Sequence, residues 1–212
     1  SDIDLIDMLN PEQSKISINW KKNLSNLSLY FDFDNSLKDS FKSNKIELGI
    51  EGNFLKNFKF AISGSQFERS PNFNFILHRS QYESYNWYND DLIDEKISKV
   101  SLDISYKNYV NLSGEYNIID NFTFFRESAN PLLGEFDFFR RAIPNQSINE
   151  IKYYKVKLYS NIPIGKFSII NTAQYQKKEQ IVELGELSAL NVPEWISRNT
   201  IMYSSKLFNR SL

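Results

Sequence analysis

The chain has 212 residues, 41% of them hydrophobic and 15% aromatic, the aromatics being 17 Phe, 12 Tyr and 3 Trp. Twenty-five basic against 26 acidic side chains leave a net charge of −1, so no bulk field points to nucleic acid or an acidic partner. With no Cys there are no disulfides or thiolate metal sites, and with no run of about eighteen apolar residues there is no transmembrane helix.

Residues 1–11 are acidic and mildly apolar and read as a loop or the end of a preceding segment. They lack the basic-then-apolar order of a signal peptide, so the expectation is a removed signal or a fragment. Ile16, Ile18 and Trp20 alternate with Ser17 and Asn19, and Leu27, Leu29, Phe31 and Phe33 alternate with Ser28, Tyr30 and Asp32. Both stretches predict strands, because successive strand side chains point to opposite faces. Residues 34–44 read as a polar loop.

Residues 45–67 predict a hairpin. Ile46, Leu48, Ile50, Gly52 and Phe54 share one parity, Glu47, Glu51 and Asn53 the other, and Lys56-Asn57 turns the chain into Phe58, Phe60, Ile62 and Gly64. Residues 66–72 are a loop. Residues 72–90 are aromatic-rich and predict one interrupted strand or two short ones, and residues 90–95 an acidic loop.

The clearest alternation lies in residues 96–119. Val100, Leu102, Ile104 and Tyr106 are set against Lys99, Ser101, Asp103 and Ser105. After Lys107-Asn108-Tyr109, Val110, Leu112, Gly114, Tyr116 and Ile118 are set against Asn111, Ser113, Glu115 and Asn117. Helical spacing fails here. Each arm is about ten residues, enough to cross a bilayer core as a tilted strand.

Residues 120–150, with Pro131, Gly134 and Pro144, read as a long loop with a strand near 122–125. Residues 154–175 predict a third hairpin. Tyr154, Val156, Leu158 and Ile162 oppose Lys155, Lys157 and Tyr159, with the turn at Pro163-Ile164-Gly165-Lys166. Residues 177–194 read as a loop with a helical turn near 182–190, and residues 200–207 as a last strand.

The count is roughly ten strands in a single domain spanning 1–212. The fold class is all-β: an antiparallel transmembrane β-barrel, or a fragment of one, with meander connectivity. Low mean hydropathy is no obstacle, since only alternate residues of a barrel face lipid. The short turns are expected at one end, assigned to the periplasm, and the long connections at the other. On this reading Val100, Leu102, Ile104, Leu112, Tyr116, Leu48, Ile50, Val156 and Leu158 face lipid. The pore-lining candidates are Glu47, Glu51, Asp103, Glu115, Lys155 and Lys157. A soluble sandwich uses the same alternation but would pack the apolar set against a second sheet.

No catalytic constellation stands out. His78 is the only histidine, no G-x-S-x-G occurs, and no phosphate-cradling Gly loop can be built from 7 Gly. Asp32-Phe33-Asp34-Asn35-Ser36 lacks the Gly of a calcium loop, with Leu37 at that place, and Asp90-Asp91 with Asp94-Glu95 reads as a solvated acidic loop. The expectation is no enzyme, no cofactor and no metal.

Three stretches resemble a known family, the putative porins of Bacteroidota outer membranes. They are PNFNFILHRSQYESYNWYND at 71–90, the hairpin running into YNIIDNFTFF within 96–125, and LNVPEWISRNTIMYSSKLFNRSL at 190–212, whose NVPEW-x-x-RNT core is the most specific. With residues 153–175 they touch over half the chain. The resemblance implies a large outer-membrane barrel, longer than this chain, acting as a channel. The ending Arg210-Ser211-Leu212 departs from the family's aromatic C-terminal strand, so the chain is expected to be an internal piece. The expected partners are membrane lipid and small hydrophilic solutes, with no nucleic acid, and a homo-oligomer is compatible. The near balance of charge on the polar parity predicts no strong ion preference. The rival reading is a non-enzymatic outer-membrane binding or assembly module acting through its long extracellular loops. A lipase-type enzyme is disfavoured by the single histidine.

Overall fold

The computed structural model describes residues 14–37, 43–81, 86–128, 141–182 and 188–204. The first four strands are β1 (Lys15–Leu24), β2 (Leu27–Ser36), β3 (Ser43–Leu55) and β4 (Phe58–Arg69). A helical turn at Phe73–Ile76 leads to β5 (Leu77–His78) and β6 (Trp87–Tyr88). Then come β7 (Glu95–Tyr106), β8 (Val110–Asp120), β9 (Thr123–Ser128), β10 (Arg141–Gln146), β11 (Ile151–Ile164), β12 (Phe167–Gln180) and β13 (Trp195–Tyr203). Nine strands form one antiparallel meander, in the order β1-β2-β3-β4-β7-β8-β11-β12-β13, and β5–β6 and β9–β10 pair as two small sheets. Among the described residues no helix is long and apolar enough to cross a membrane, which says nothing about crossing with strands.

Several expectations need correction. Residues 72–90 hold a helical turn and two-residue strands rather than one long strand, because the Asn72 side chain accepts from the Asn74 N–H and caps a turn there. The supposed loop 120–150 contains the β9–β10 ladder, with Phe125 opposite Pro144. The β11–β12 turn is Gly165-Lys166 alone, with Gly165 at φ 63°, a conformation glycine adopts without a Cβ penalty. Pro163 therefore lies inside β11. It is tolerated because the β8 ladder has ended at Val110–Ser160, so the side without an N–H meets no neighbouring strand. In β3 the register shifts between Asn53 and Leu55, which brings Leu55 rather than Phe54 opposite Phe58. Strand β13 starts at Trp195, not at residue 200. Residues 1–11, most of the 182–190 turn and 205–212 lie outside the described residues.

Cross-strand partners share a face, so the register fixes the facing of the whole sheet. Along one face run Trp20, Phe31, Leu48, Gly64, Val100, Tyr116 and Tyr154 as successive partners. Two residues nearer the short turns run Ile50, Ile62, Leu102, Gly114 and Val156, and then Ile104, Leu112 and Leu158. All nine apolar residues expected to share a face do so. No second sheet covers them among the described residues: Leu48 is 58% exposed and Val156 47%. The buried aliphatic side chains among the described residues are Ile97 and Ile151, both on the opposite parity. Among the described residues that distribution is the reverse of a sandwich, whose core would be this apolar face.

The short turns Ser25-Asn26, Lys56-Asn57, Lys107-Asn108-Tyr109 and Gly165-Lys166 all lie at one end, and the long connections at the other. Backbone bonds tie this end together: Asn53 N–H to the Asn26 carbonyl (3.0 Å), Lys107 N–H to the Asn57 carbonyl (2.9 Å) and Asn161 N–H to the Tyr109 carbonyl (2.7 Å). The turns are staggered. Leu27 closes the first hairpin, and its row reaches β12 at Ala173, six residues short of Phe167, which closes the last. Six residues of stagger over six strand spacings corresponds to a tilt of about 35° if the turns lie in one plane. Barrel strands in membranes tilt by about 35–45°.

Two glycines are required by close approaches, and at Gly52 an added Cβ would stand 2.5 Å from the Asn26 carbonyl oxygen. At Gly49 an added Cβ would stand 2.1 Å from the Tyr30 ring, which lies across its backbone and donates its hydroxyl to Glu47 Oε1 at 3.2 Å. At Gly64 nothing lies within 4 Å. Gly49→Ala is therefore expected to cost about 1–3 kcal/mol by displacing the ring. Gly64→Ala is expected to be neutral or to gain up to about 1 kcal/mol from the strand backbone. Urea titration of the refolded protein measures both, and equal midpoints would contradict the ring's role.

Candidate functional site

The second face of the sheet carries the charge. All six candidates stand on it, in three successive rows. Glu47 is partnered by Asp32 and Ser65. Glu115 lies between Ser101 and Lys155. Glu51, Ala61, Asp103, Ser113, Lys157 and Gln174 form one unbroken row. The alternation that makes the first face apolar places them here.

Most of these charges are held in pairs. Glu115 receives Lys155 Nζ at 2.6 Å and Lys99 Nζ at 3.1 Å, which makes a three-strand bridge across β7, β8 and β11. Lys21 Nζ reaches Glu51 at 2.6 Å, Lys45 pairs with Glu47, and Lys15 pairs with Asp34 at 2.9 Å. Asn19 donates to Asp32 at 2.7 Å. Asp103 and Lys157 differ. Neither makes an ion pair among the described residues, and they stand on one row with Ser113 between them. Lys21, Asp32, Asp34 and Lys99 belong to the same face, and strict parity through β1, β2 and β7 would have found them.

At the long-connection end this face is covered. The row Phe67, Ile97, Ile119, Ile151 and Gln180 is apolar except at its end, and Ile151 is 0% exposed. Glu95, 4% exposed, accepts from Arg69 (2.9 Å) and from the Thr123 backbone N–H (2.8 Å). The Gln146 side chain binds the Ile93 N–H and carbonyl and the Asn121 carbonyl, so β10 is stitched to the segment preceding β7. Gln180 Nε2 donates to Ser147 Oγ at 3.0 Å, and Gln176 Nε2 to the Pro193 carbonyl at 2.7 Å. Glu95, Ile97, Asn117, Ile151 and Gln176 are the buried strand residues here, and all share the charged face. The described parts of the connections thus lie over that face.

The remaining candidates have ordinary surroundings. His78 stacks on Trp87 with ring centroids 4.7 Å apart. Asp32 and Asp34 lie within strand β2 rather than in a calcium-type loop. Asp94 accepts from Ser70 at 2.9 Å.

The apolar face is bounded by aromatic levels. Phe58 and Tyr106 (4.7 Å), Tyr106 and Tyr109 (6.4 Å), and Phe167 and Tyr203 (5.0 Å) lie beside the short turns. Tyr116 and Tyr154 (4.8 Å) and Tyr175 and Trp195 (4.8 Å) lie toward the other end. Beyond the second level the same face turns charged, with Lys152 opposite Glu179 and Lys177 paired to Glu179 at 3.0 Å. On β12 the two levels, Phe167 and Tyr175, are eight residues apart, about 22 Å along the barrel axis at the tilt above. The apolar band of a membrane barrel is about 25 Å tall.

A staggered antiparallel meander, charged on one face and mainly apolar between aromatic levels on the other, is the pattern carried by the wall of a porin-type β-barrel. The sequence profile of the family described as "Putative porin" matches residues 6–212, nearly the whole chain. The chain belongs to that family. No curated protein matches it.

Proposed function

We propose that this chain forms part of the wall of an outer-membrane channel, with the charged face lining a water-filled lumen through which small hydrophilic solutes pass. The observation that carries this reading is the separation of faces. Glu47, Glu51, Asp103, Glu115, Lys155 and Lys157, from β3 to β11, share one side, and the other is mainly apolar and exposed between two aromatic levels. Burying that apolar side in lipid is favourable at about 25 cal/mol per Å², whereas paired charges need an aqueous boundary. The short turns then lie on the periplasmic side and the long connections on the extracellular side. The inward-folded connections narrow the lumen at their own end, while the Asp103–Lys157 row stays open near the other. The work of such a wall is selection and passage, without chemistry.

Stepwise conductance of the purified full-length protein in planar bilayers tests the proposal, and its absence with folded, inserted protein would count against a channel. Selectivity is set by the charges left unpaired on the wall. Lys157→Glu is expected to move the reversal potential in a salt gradient toward cations with little loss of folding. An unchanged reversal potential would remove Lys157 from the lumen.

A further inference from the structure

Between the aromatic levels the outward face carries Lys22, two residues from the close of the first hairpin, and, midway up, one polar row. On β11, β12 and β13 the partners Ser160, Asn171 and Asn199 form that polar row. The row lies midway between the aromatic levels, four residues from Phe167 and four from Tyr175, hence about 11 Å from each along the axis. In the other hairpins the positions four residues in from the turn are Trp20 and Phe31, Ile62, and Leu102 and Gly114. Neither amide makes a side-chain hydrogen bond to any described residue. Asn199 is exposed and Asn171 half-buried.

Two features of the surroundings bear on what covers this row. Ala173 and Ser197, the next partners toward the long connections, are small. Large side chains stand on either side: Ile201 (74% exposed) toward the turns and Trp195 (71%) toward the connections. The row is therefore the floor of a shallow depression into which another surface can come close. Small residues and side-chain amides are what intramembrane protein contacts use, because hydrocarbon offers an amide no partner.

We infer that this part of the outer face is an intramembrane interface with a second copy of the chain. The inference rests on the channel reading, which puts this face in the bilayer. The occupant follows from the chemistry of the floor. An amide offers both a donor and an acceptor, so its best complement is another amide. Asn171 and Asn199 are direct cross-strand partners, and a twofold axis between them reverses their order in the facing copy. Each Asn171 then meets an Asn199 of the other copy, and every amide gains a partner, as an isologous contact requires. A lipid tail in the same place leaves both amides bare.

The chain has no Cys, so single cysteines report cleanly. Full-length Leu48→Cys and Asn199→Cys, each carrying a small fluorophore, are placed in vesicles containing lipid with a nitroxide at mid-acyl depth. The Leu48→Cys label is expected to be quenched several-fold, and the Asn199→Cys label less than half as much. Unlabelled Asn171→Cys and Asn199→Cys chains inserted together should give a disulfide-linked band of doubled mass on mild oxidation, with none from Leu48→Cys. Combining Asn171→Leu and Asn199→Leu should abolish the dimer while the protein still inserts, and a dimer that persists would overturn the amide pairing. Equal quenching of both labels with no doubled band would make lipid the occupant and overturn the interface. A cross-linked band of another mass in native membranes would name a different partner and overturn the second copy. If the Leu48→Cys label is not quenched at all, the outward facing itself is wrong, and the channel reading falls separately.

Discussion

Leu102→Arg should lower the folding free energy in bilayers by about 2–4 kcal/mol, the cost of a cation on the lipid face of a barrel near the midplane. Leu102 stands between Ile62 on β4 and Gly114 on β8, on the exposed apolar face, four residues from the Tyr106–Val110 pair that closes its hairpin. Its neighbour Asp103 stands between Ala61 and Ser113 on the charged face. Asp103→Arg leaves the guanidinium hydrated, so the folding midpoint should barely move. Its effect should appear in permeation instead. The row would then carry Arg and Lys157 on either side of Ser113, about 10 Å apart across two strand spacings, and selectivity should shift toward anions. Denaturant titration in lipid vesicles and reversal potentials measure the two effects. Equal damage from both substitutions would refute the two-faced sheet, and cooperative folding in plain buffer would refute the membrane.

This contrast was legible in the sequence because it rests on parity, a property of neighbouring residues. Val100, Leu102, Ile104 and Tyr106 needed no tertiary information to be placed on one side, and the register across nine strands carried that side through the sheet. Events that alternation does not encode were hidden. The register shift at Asn53/Leu55 is decided by how the β3–β4 hairpin closes. Strand β13 begins at Trp195 because its ring packs on Tyr175 at 4.8 Å, whereas Trp195-Ile196-Ser197-Arg198-Asn199 has no clean alternation to read. The Asn171–Asn199 row surfaced only once the pairing of β12 with β13 was known.

The covered end of the charged face was hidden for another reason. Ile97, Ile119 and Ile151 are apolar on the polar parity, a local violation of the pattern that runs through the rest of β7 and β8. Each looks like noise alone. Paired into one row across three strands, they mark where the connections lie down. The partners that hold those connections are far apart in sequence: Glu95 with Thr123, Gln146 with Ile93, Gln180 with Ser147. No local spacing announces them.

That row supplies the second large expected effect. Ile151→Ala should destabilise the protein by about 2–5 kcal/mol, because the side chain is fully enclosed and its removal leaves a cavity beside Ile119. Ile18→Ala on the exposed apolar face, at 52% exposure, removes the same carbons from a side chain far less enclosed and should cost well under half as much. The two substitutions also separate in function. Ile151 belongs to the floor on which the connections rest, and the bonds from Gln180 Nε2 to Ser147 Oγ and from the Thr123 N–H to Glu95 flank it. Loosening that floor should free the connections from the charged face, so the open-channel current of Ile151→Ala should become larger and noisier, while that of Ile18→Ala keeps its parent value. Glu95→Ala gives an independent check. It strips the acceptor from the buried Thr123 N–H, at about 1–3 kcal/mol, and should raise the current in the same direction. A stable Ile151→Ala channel with unchanged current would mean that the connections do not narrow the lumen, even though they cover its wall.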